Sequence, residues 1–165
     1  MTPTPSVPTL DPANFRAALA RFASGVTILT TRTADGVDLG MTATAFSSLS
    51  LTPPLVLACV DLEATLATQL PVGAPLAVHV LVEAQAAWSA RFAGTEGDRF
   101  AGLPLTRGLG DLPLLPDALA RLEGRVTARH PGGDHVIVVA TVERVTLGEA
   151  APLLYFRGAY ARLAP

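Results

Sequence analysis

Strand-forming runs follow one another along this chain with hardly any helix to separate them. "VTILTTR", "VDLGMTATAF", "PLVLACV" and "PLAVHVLV" fill the first half, parted by "ADG" and by Pro or Gly clusters. "ALARLEGRVTARH", "DHVIVVATVERVTL" and "LLYFRGAYARL" fill the second. Aliphatic and β-branched runs bounded by turn formers are the mark of strands. Parallel strands need a crossover helix between them, and that alternation is missing. The pattern therefore predicts a mainly β fold with a few helices: an antiparallel closed or nearly closed barrel, with helices packed outside it.

Two helices stand out. In "DPANFRAALARFASG", Asp11 is placed to cap, Pro12 to take the first helical position and Gly25 to terminate, with Phe15, Leu19 and Phe22 on one face. In "EAQAAWSARFAG", Gln85, Trp88 and Phe92 share a face. A Gly- and Pro-rich loop, "GLPLTRGLGDLPLLPD", precedes a short helical turn and the last three strands. The start, "MTPTPSVPTL", carries Pro3, Pro5 and Pro8 and reads as an extended arm over residues 1–10, without the basic and apolar regions of a secretory leader. Residues 11–165 are expected to form a single domain, as the length of 165 residues allows.

Composition excludes several classes. Hydrophobic residues make up 50% of the chain, too many for disorder, yet the longest apolar runs, "PPLVLACV" and "HVIVVATV", fall well short of the ~20 residues of a membrane span. The net charge of -2 is scattered, leaving no basic stripe for nucleic acid. The single Cys59 has no partner for a disulfide, which fits a reducing cytoplasm. His79, His130 and His135 are too far apart in sequence to form a metal motif, and dinucleotide, Walker and nucleophile-elbow motifs are absent.

The segment "GMTATAFSSLSLTPP" is rich in small side chains and hydroxyls beside an apolar run. Gly40, Thr42, Ala43 and Thr44 leave room for a flat heteroaromatic ring to reach the backbone, and Ser47, Ser48 and Ser50 offer hydroxyls to an attached polyol or phosphate. The same residues suit an exposed strand face and a turn, so composition leaves both readings open.

Five segments in order resemble the flavin reductase family with the FMN-binding split-barrel fold, a Greek-key β-barrel. They are "FRAALARFASGVTILTT", "GMTATAFSSLSLTPPLVLACV", "LAVHVLVEAQAAWSARFAG", "GGDHVIVVATVERV" and "PLLYFRGAYARL". The likeness spans residues 11–163 and is greatest to the reductase components of two-component flavin monooxygenases. It implies that Met41, Thr42, Ala43 and Thr44 line the flavin, with Ser47 and Ser48 near the ribityl chain or phosphate. Cys59, Val60 and Asp61 would close the other side, and Thr65 would face the phosphate. Ala64 and Leu66 depart from the S-x-T that many relatives carry, which shifts phosphate binding towards Arg91 and the backbone of Phe92 and Ala93. His135, in "GDH", is implied at the nicotinamide end in the one catalytic role assigned. Tyr155, Phe156 and Gly158 are implied as a wall of the ring or nicotinamide, with core packing as the alternative. His79, where relatives often carry Asn, reads as a strand residue needing a polar partner.

The implied activity is NAD(P)H:flavin oxidoreduction: hydride passes from NADH or NADPH to FMN or FAD, and reduced flavin passes to a partner monooxygenase. Such a step needs no enzyme nucleophile, which accounts for the missing triads. The resemblance also implies a homodimer with flavin near the interface. Two alternatives stay open: a non-catalytic flavin-binding or electron-transfer module, and a small-ligand barrel without flavin.

Overall fold

The computed structural model describes residues 10–164, so the arm expected over residues 1–10 lies outside it except for Leu10. The chain begins with α1 (Pro12–Leu19), β1 (Ser24–Gly25), β2 (Thr27–Arg32), β3 (Asp38–Ala43), β4 (Phe46–Leu51) and β5 (Pro54–Asp61). It continues through α2 (Thr65–Thr68), β6 (Pro75–Val80), α3 (Ala86–Ala93), β7 (Thr106–Arg107) and β8 (Pro113–Leu114). β9 (Ala120–Gly132), β10 (His135–Leu147), β11 (Leu154–Phe156) and β12 (Ala159–Ala161) complete it.

Seven strands form one sheet in the order β3-β2-β6-β9-β10-β5-β4, antiparallel at every step. The run "VDLGMTATAF", expected as one strand, is split in two. β3 ends at Ala43 and β4 starts at Phe46 on the opposite edge of the sheet, so Thr44 and Ala45 carry the chain from edge to edge. A turn bond from Phe46 N–H to the Thr44 carbonyl (3.0 Å) and one from Cys59 N–H to the Ala45 carbonyl (2.9 Å) fix this corner. β3 and β4 meet there without pairing. The hydrogen-bond ladder is therefore not closed: of the closed or nearly closed barrel expected, the mainly β, antiparallel character with few helices is seen and closure is not. "LLYFRGAYARL" also divides, into the hairpin β11–β12, whose turn residues Arg157 and Gly158 take φ of 51° and 79°. Positive φ at both turn positions matches the twist of the flanking strands.

The sheet curls around Leu29, Val60, Val78, Val126 and Val138, and Leu66 and Leu70 from in and beyond α2 plug the interior. A second cluster of Val26, Ile28, Leu81, Phe92, Leu115 and Leu153 lies where α3 covers β2. Each such aliphatic side chain contributes about 1.5–3 kcal/mol on burial. The strand β2 is covered on both faces, so its polar residues need internal partners. Thr27, Thr30 and Thr31 donate to the carbonyls of Ala43, Pro113 and Pro75 at 2.6, 2.8 and 2.7 Å. His79, fully buried on β6, finds two partners: Nδ1–H donates to the Ile28 carbonyl and Nε2 accepts from Leu115 N–H, both at 3.1 Å. Desolvation, reinforced by the nearby Arg121 charge and only partly opposed by the Ile28 bond, lowers its pKa to about 4.

α1 has the expected start, Asp11 Oδ1 accepting from Ala13 N–H at 3.0 Å with Pro12 in the first turn. The helix is shorter than expected: it ends at Leu19 with Ala20 as its C-cap, so Phe22 falls in the bend beyond it and Gly25 belongs to β1 instead of terminating the helix. Phe15 and Leu19 on α1 and Phe22 after it are 51%, 57% and 81% exposed.

Candidate functional site

β3 is an edge strand, so alternate N–H and C=O groups on its outer side have no ladder partner. A groove of about 420 Å³ opens beside Met41 and Thr42. Its far wall is the β5–α2 loop, with Asp61, Glu63 and Thr65, and its near wall is the end of α3 with Ala93, Gly94 and Thr95. Phe92, almost wholly buried, forms the floor and meets Phe100 edge-on, with ring centroids 5.0 Å apart. This packing explains Gly40: a Cβ there would stand 2.7 Å from Phe92 Cε1. The small size of Gly40 thus makes room for the aromatic floor, a role distinct from both ligand approach and an exposed strand face.

One end of the groove is polar. Thr65 opens the single turn of α2 and its hydroxyl has no hydrogen-bond partner among the described residues, while Arg99 lines the groove and donates from Nη1 to the Gly40 carbonyl at 2.6 Å. The other end is aromatic. A lobe of about 260 Å³ shares Thr42 and Ala93 with the groove and is walled by Val26, Thr44, Ser89, Tyr155 and Tyr160. The tyrosines face each other across the hairpin register with centroids 5.9 Å apart, and Tyr160 O–H donates to Ser89 Oγ at 2.8 Å. Thr42 Oγ1 donates to the Ser89 carbonyl at 2.6 Å, tying β3 to α3.

Of the residues singled out from sequence, Met41, Thr42, Thr44, Asp61, Thr65, Phe92, Ala93 and Tyr155 line this groove or its aromatic lobe. Ala43 and Val60 turn their side chains into the core. Ser47 and Ser48 are exposed on β4, and Cys59 is half-buried on β5, none of them on the groove wall. Arg91 does not face the groove, because its guanidinium holds the carbonyls of Asp98 and Ala101 at 2.8 and 2.7 Å. The arginine at the groove is Arg99, which the sequence reading missed. His135 starts β10, opposite Asp61 of the groove wall, with Nδ1 2.7 Å from Asp134 Oδ1. Its ring, hydrogen-bonding Asp134, holds that carboxylate below its ordinary pKa. Phe156 carries Arg157 over its ring, 5.2 Å from the centroid, and lies outside the lobe. Tyr160, Thr95 and Glu63 were missed as well. A hairpin reading of "YFRGAY" brings Tyr160 opposite Tyr155, whereas nothing local in the sequence marks Arg99.

The open antiparallel sheet thus carries an elongated groove with Thr65 and Arg99 at one end, a tyrosine pair at the other and the carboxylates of Asp61 and Glu63 on its wall. Residues 19–164 match the family described as flavin reductase like domain. The chain belongs to that family. It is 47% identical over 150 residues to the reductase component of 4-hydroxyphenylacetate 3-monooxygenase from Thermus thermophilus, covering 90% of this chain and 95% of that one. It is 39% identical over 160 residues to an NADH-dependent flavin reductase of a Rhodococcus species, covering 94% and 89%. Among solved structures, the NADH:FAD oxidoreductase of Streptomyces globisporus C-1027 superposes with a TM-score of 0.87 at 33% identity, covering 99% of each chain.

Proposed function

We propose that this chain is an NAD(P)H:flavin oxidoreductase, using NADH or NADPH to reduce FMN or FAD and supplying reduced flavin to a partner monooxygenase. The observation that carries the reading is the continuous groove along the β3 edge, with Thr65 and Arg99 at one end and the tyrosine pair at the other. This donor set fits a flavin. A neutral hydroxyl and a guanidinium with spare N–H groups suit a phosphate, and Tyr155 and Tyr160 suit a flat ring. The relatives named for NADH-dependent flavin reduction support the same reading.

When bound, the flavin supplies the hydride-accepting chemistry. The chain's residues bind and orient. Arg99 and Thr65 anchor the tail, compensating for Ala64 and for Leu66, which is buried in the core. The unladdered backbone beside Thr42 meets the polar edge of the ring. The tyrosines keep water from one end of it. His135, across from Asp61, orients the nicotinamide nucleotide at the groove mouth, and no protein proton is needed for the transfer itself.

Four coarser features belong to the same reading. Residues 11–165 act as one domain, the curled sheet is a split barrel, the protein is a homodimer, and it works in the cytoplasm. The exposed apolar side chains of α1 and the turn after it support the homodimer, since a second copy would cover Phe15, Leu19 and Phe22. The free thiol of Cys59 supports a reducing compartment, and among the described residues no helix is long and apolar enough to cross a membrane.

Anaerobic mixing of flavin-loaded protein with NADH tests the activity: the visible flavin band should bleach, and it should persist if the chain only carries flavin. In His135→Ala the flavin dissociation constant should stay near its parent value, while reduction slows by about 10–100-fold and dithionite still reduces it. Parent-rate reduction in that variant would remove His135 from the site.

A further inference from the structure

Two arginines belong to the end of α3 and the loop over residues 94–105 that follows it: Arg91 in the last turn of the helix and Arg99 within the loop. Arg99 lines the groove, whereas Arg91 is not part of its wall. We propose that Arg91 is a positioning residue for the phosphate end of the site: it fixes the turn that carries Arg99, and so sets the guanidinium that holds the anionic tail of the flavin. The proposal rests on the flavin reading above and goes beyond it by assigning tail affinity to a side chain that does not touch the ligand.

The geometry is that of a clamp. Ala101 N–H donates to the Asp98 carbonyl at 3.3 Å, closing a turn over residues 98–101 with Arg99 and Phe100 at its centre. Asp98 Oδ1 accepts from Phe100 N–H at 2.9 Å and tightens the same turn. One nitrogen of Arg91, Nη2, donates to the carbonyls at both ends of it, Asp98 at 2.8 Å and Ala101 at 2.7 Å. A charged donor makes these the stronger class of hydrogen bond, and because they span the turn they fix its tilt against α3. Both central residues are then held in place. Phe100 packs edge-on against Phe92, and Arg99 reaches the Gly40 carbonyl through Nη1 at 2.6 Å with its other donors left for the groove.

The backbone on either side of this turn is free to pivot. Gly97 before it and Gly102 after it both take φ of +72°, and nothing lies within 4 Å of where a Cβ would stand at either. Phe100 pins the turn to the core through a single ring, which leaves the backbone free to tilt about that point, and Arg91 supplies the second point. Without the clamp, the phosphate itself would have to order Arg99 on binding, at the cost of immobilising a long side chain. Riboflavin has no phosphate and takes nothing from Arg99, so loss of the clamp should be felt by FMN alone.

The test is titration of flavin-free protein with riboflavin and with FMN. Arg91→Met keeps the aliphatic stem and removes the donors; it should weaken FMN by roughly 3–10-fold, less than Arg99→Ala does, and bind riboflavin as the parent does. Arg91→Lys should recover the FMN affinity, because a single nitrogen holds both carbonyls and an ammonium carries three donors. The deciding protein is the double variant Arg91→Met with Arg99→Ala. It should bind FMN no more weakly than Arg99→Ala alone, since a residue that acts through Arg99 then has nothing left to position. Additive losses would make Arg91 a phosphate contact in its own right and overturn the proposal. Equal weakening of riboflavin and FMN in Arg91→Met, the sign of a loosened fold, would overturn it too, as would parent-like FMN affinity in that variant or a lysine no better than methionine. In each of those cases a parent that binds FMN leaves the flavin reading standing. If the parent binds neither flavin, that reading fails and this proposal fails with it.

Discussion

The polar groups behind β2 and those in front of β3 differ in how fully they are used. Behind β2, His79, Thr27, Thr30, Thr31 and Gln85 are buried, and every one has a partner. Even Gln85 accepts from Val82 N–H at 3.1 Å and donates to the Pro116 carbonyl at 2.8 Å. In front of β3, the Thr65 hydroxyl bonds to nothing in the described protein and Arg99 gives one bond of the several it can make. A buried polar group left without a partner costs about 1–3 kcal/mol, so the interior must close its hydrogen bonds at folding. Groups at the groove are wet and can keep theirs for a ligand. Lining a groove is not the same as serving it: Thr42 faces the groove, but its hydroxyl is spent on the Ser89 carbonyl.

The largest effect expected from this contrast is on the closed side. His79 titrates near its ordinary 6.5 in the unfolded chain and at about 4 when folded. Between those values the unfolded chain binds the extra proton, so stability is full above about pH 6.5 and falls as pH drops towards 4. The gap corresponds to about 3 kcal/mol, lost in full below the folded value. Urea unfolding across that range should show the fall. His79→Gln cannot charge, so it should be less stable at neutral pH yet have a flatter profile. Equal slopes in the two proteins would mean that the imidazole is not held neutral.

On the open side, Arg99→Ala should weaken FMN by about 10–100-fold, the value of a charge-assisted bond of about 1.5–3 kcal/mol, while riboflavin, which lacks the phosphate, binds as before. Thr65→Val is the neutral counterpart, with an expected loss of about 0.5–1.5 kcal/mol for FMN and none for riboflavin. Isothermal titration with both ligands measures the two variants together. If riboflavin weakens as much as FMN, the phosphate lies elsewhere and the spare donors have another purpose.

Much of the fold could be read from sequence because it follows local rules. Asp11 and Pro12 start α1, Gln85 and Phe92 mark the buried face of the segment that becomes α3, and the aliphatic runs become β2, β5, β6, β9 and β10. What could not be read depends on long-range closure. Nothing in "TATAF" announces that Thr44 and Ala45 span the two edges of a sheet whose ladder stays open. The site divides in the same way. Met41, Thr42 and Thr65 belong to segments with a recognisable order. Arg99 becomes a groove residue only because Phe100, its neighbour, is anchored on Phe92 above Gly40, a contact 60 positions apart in sequence. Arg91 looked equivalent by charge and fails by geometry, since its guanidinium is committed to two loop carbonyls.

The smallest effect expected lies where the two regimes meet. Tyr160 is 42% exposed on the aromatic lobe, yet its hydroxyl donates to Ser89, which is buried on α3. Tyr160→Phe removes that donor and keeps the ring. If the hydroxyl serves the fold and the ring serves the ligand, thermal unfolding should fall by about 0.5–1 kcal/mol while the affinities for riboflavin and FMN stay equal to the parent's. Tyr160→Ala removes the ring as well and should weaken both flavins alike if, as proposed, the phosphate binds at the opposite end of the groove. A loss confined to FMN would place the tail beside the tyrosines and reverse the orientation of the bound flavin, with Thr65 and Arg99 then at the ring. A Tyr160→Phe protein that binds both flavins poorly would instead make the hydroxyl a ligand contact, moving Tyr160 from the closed group of polar residues to the open one.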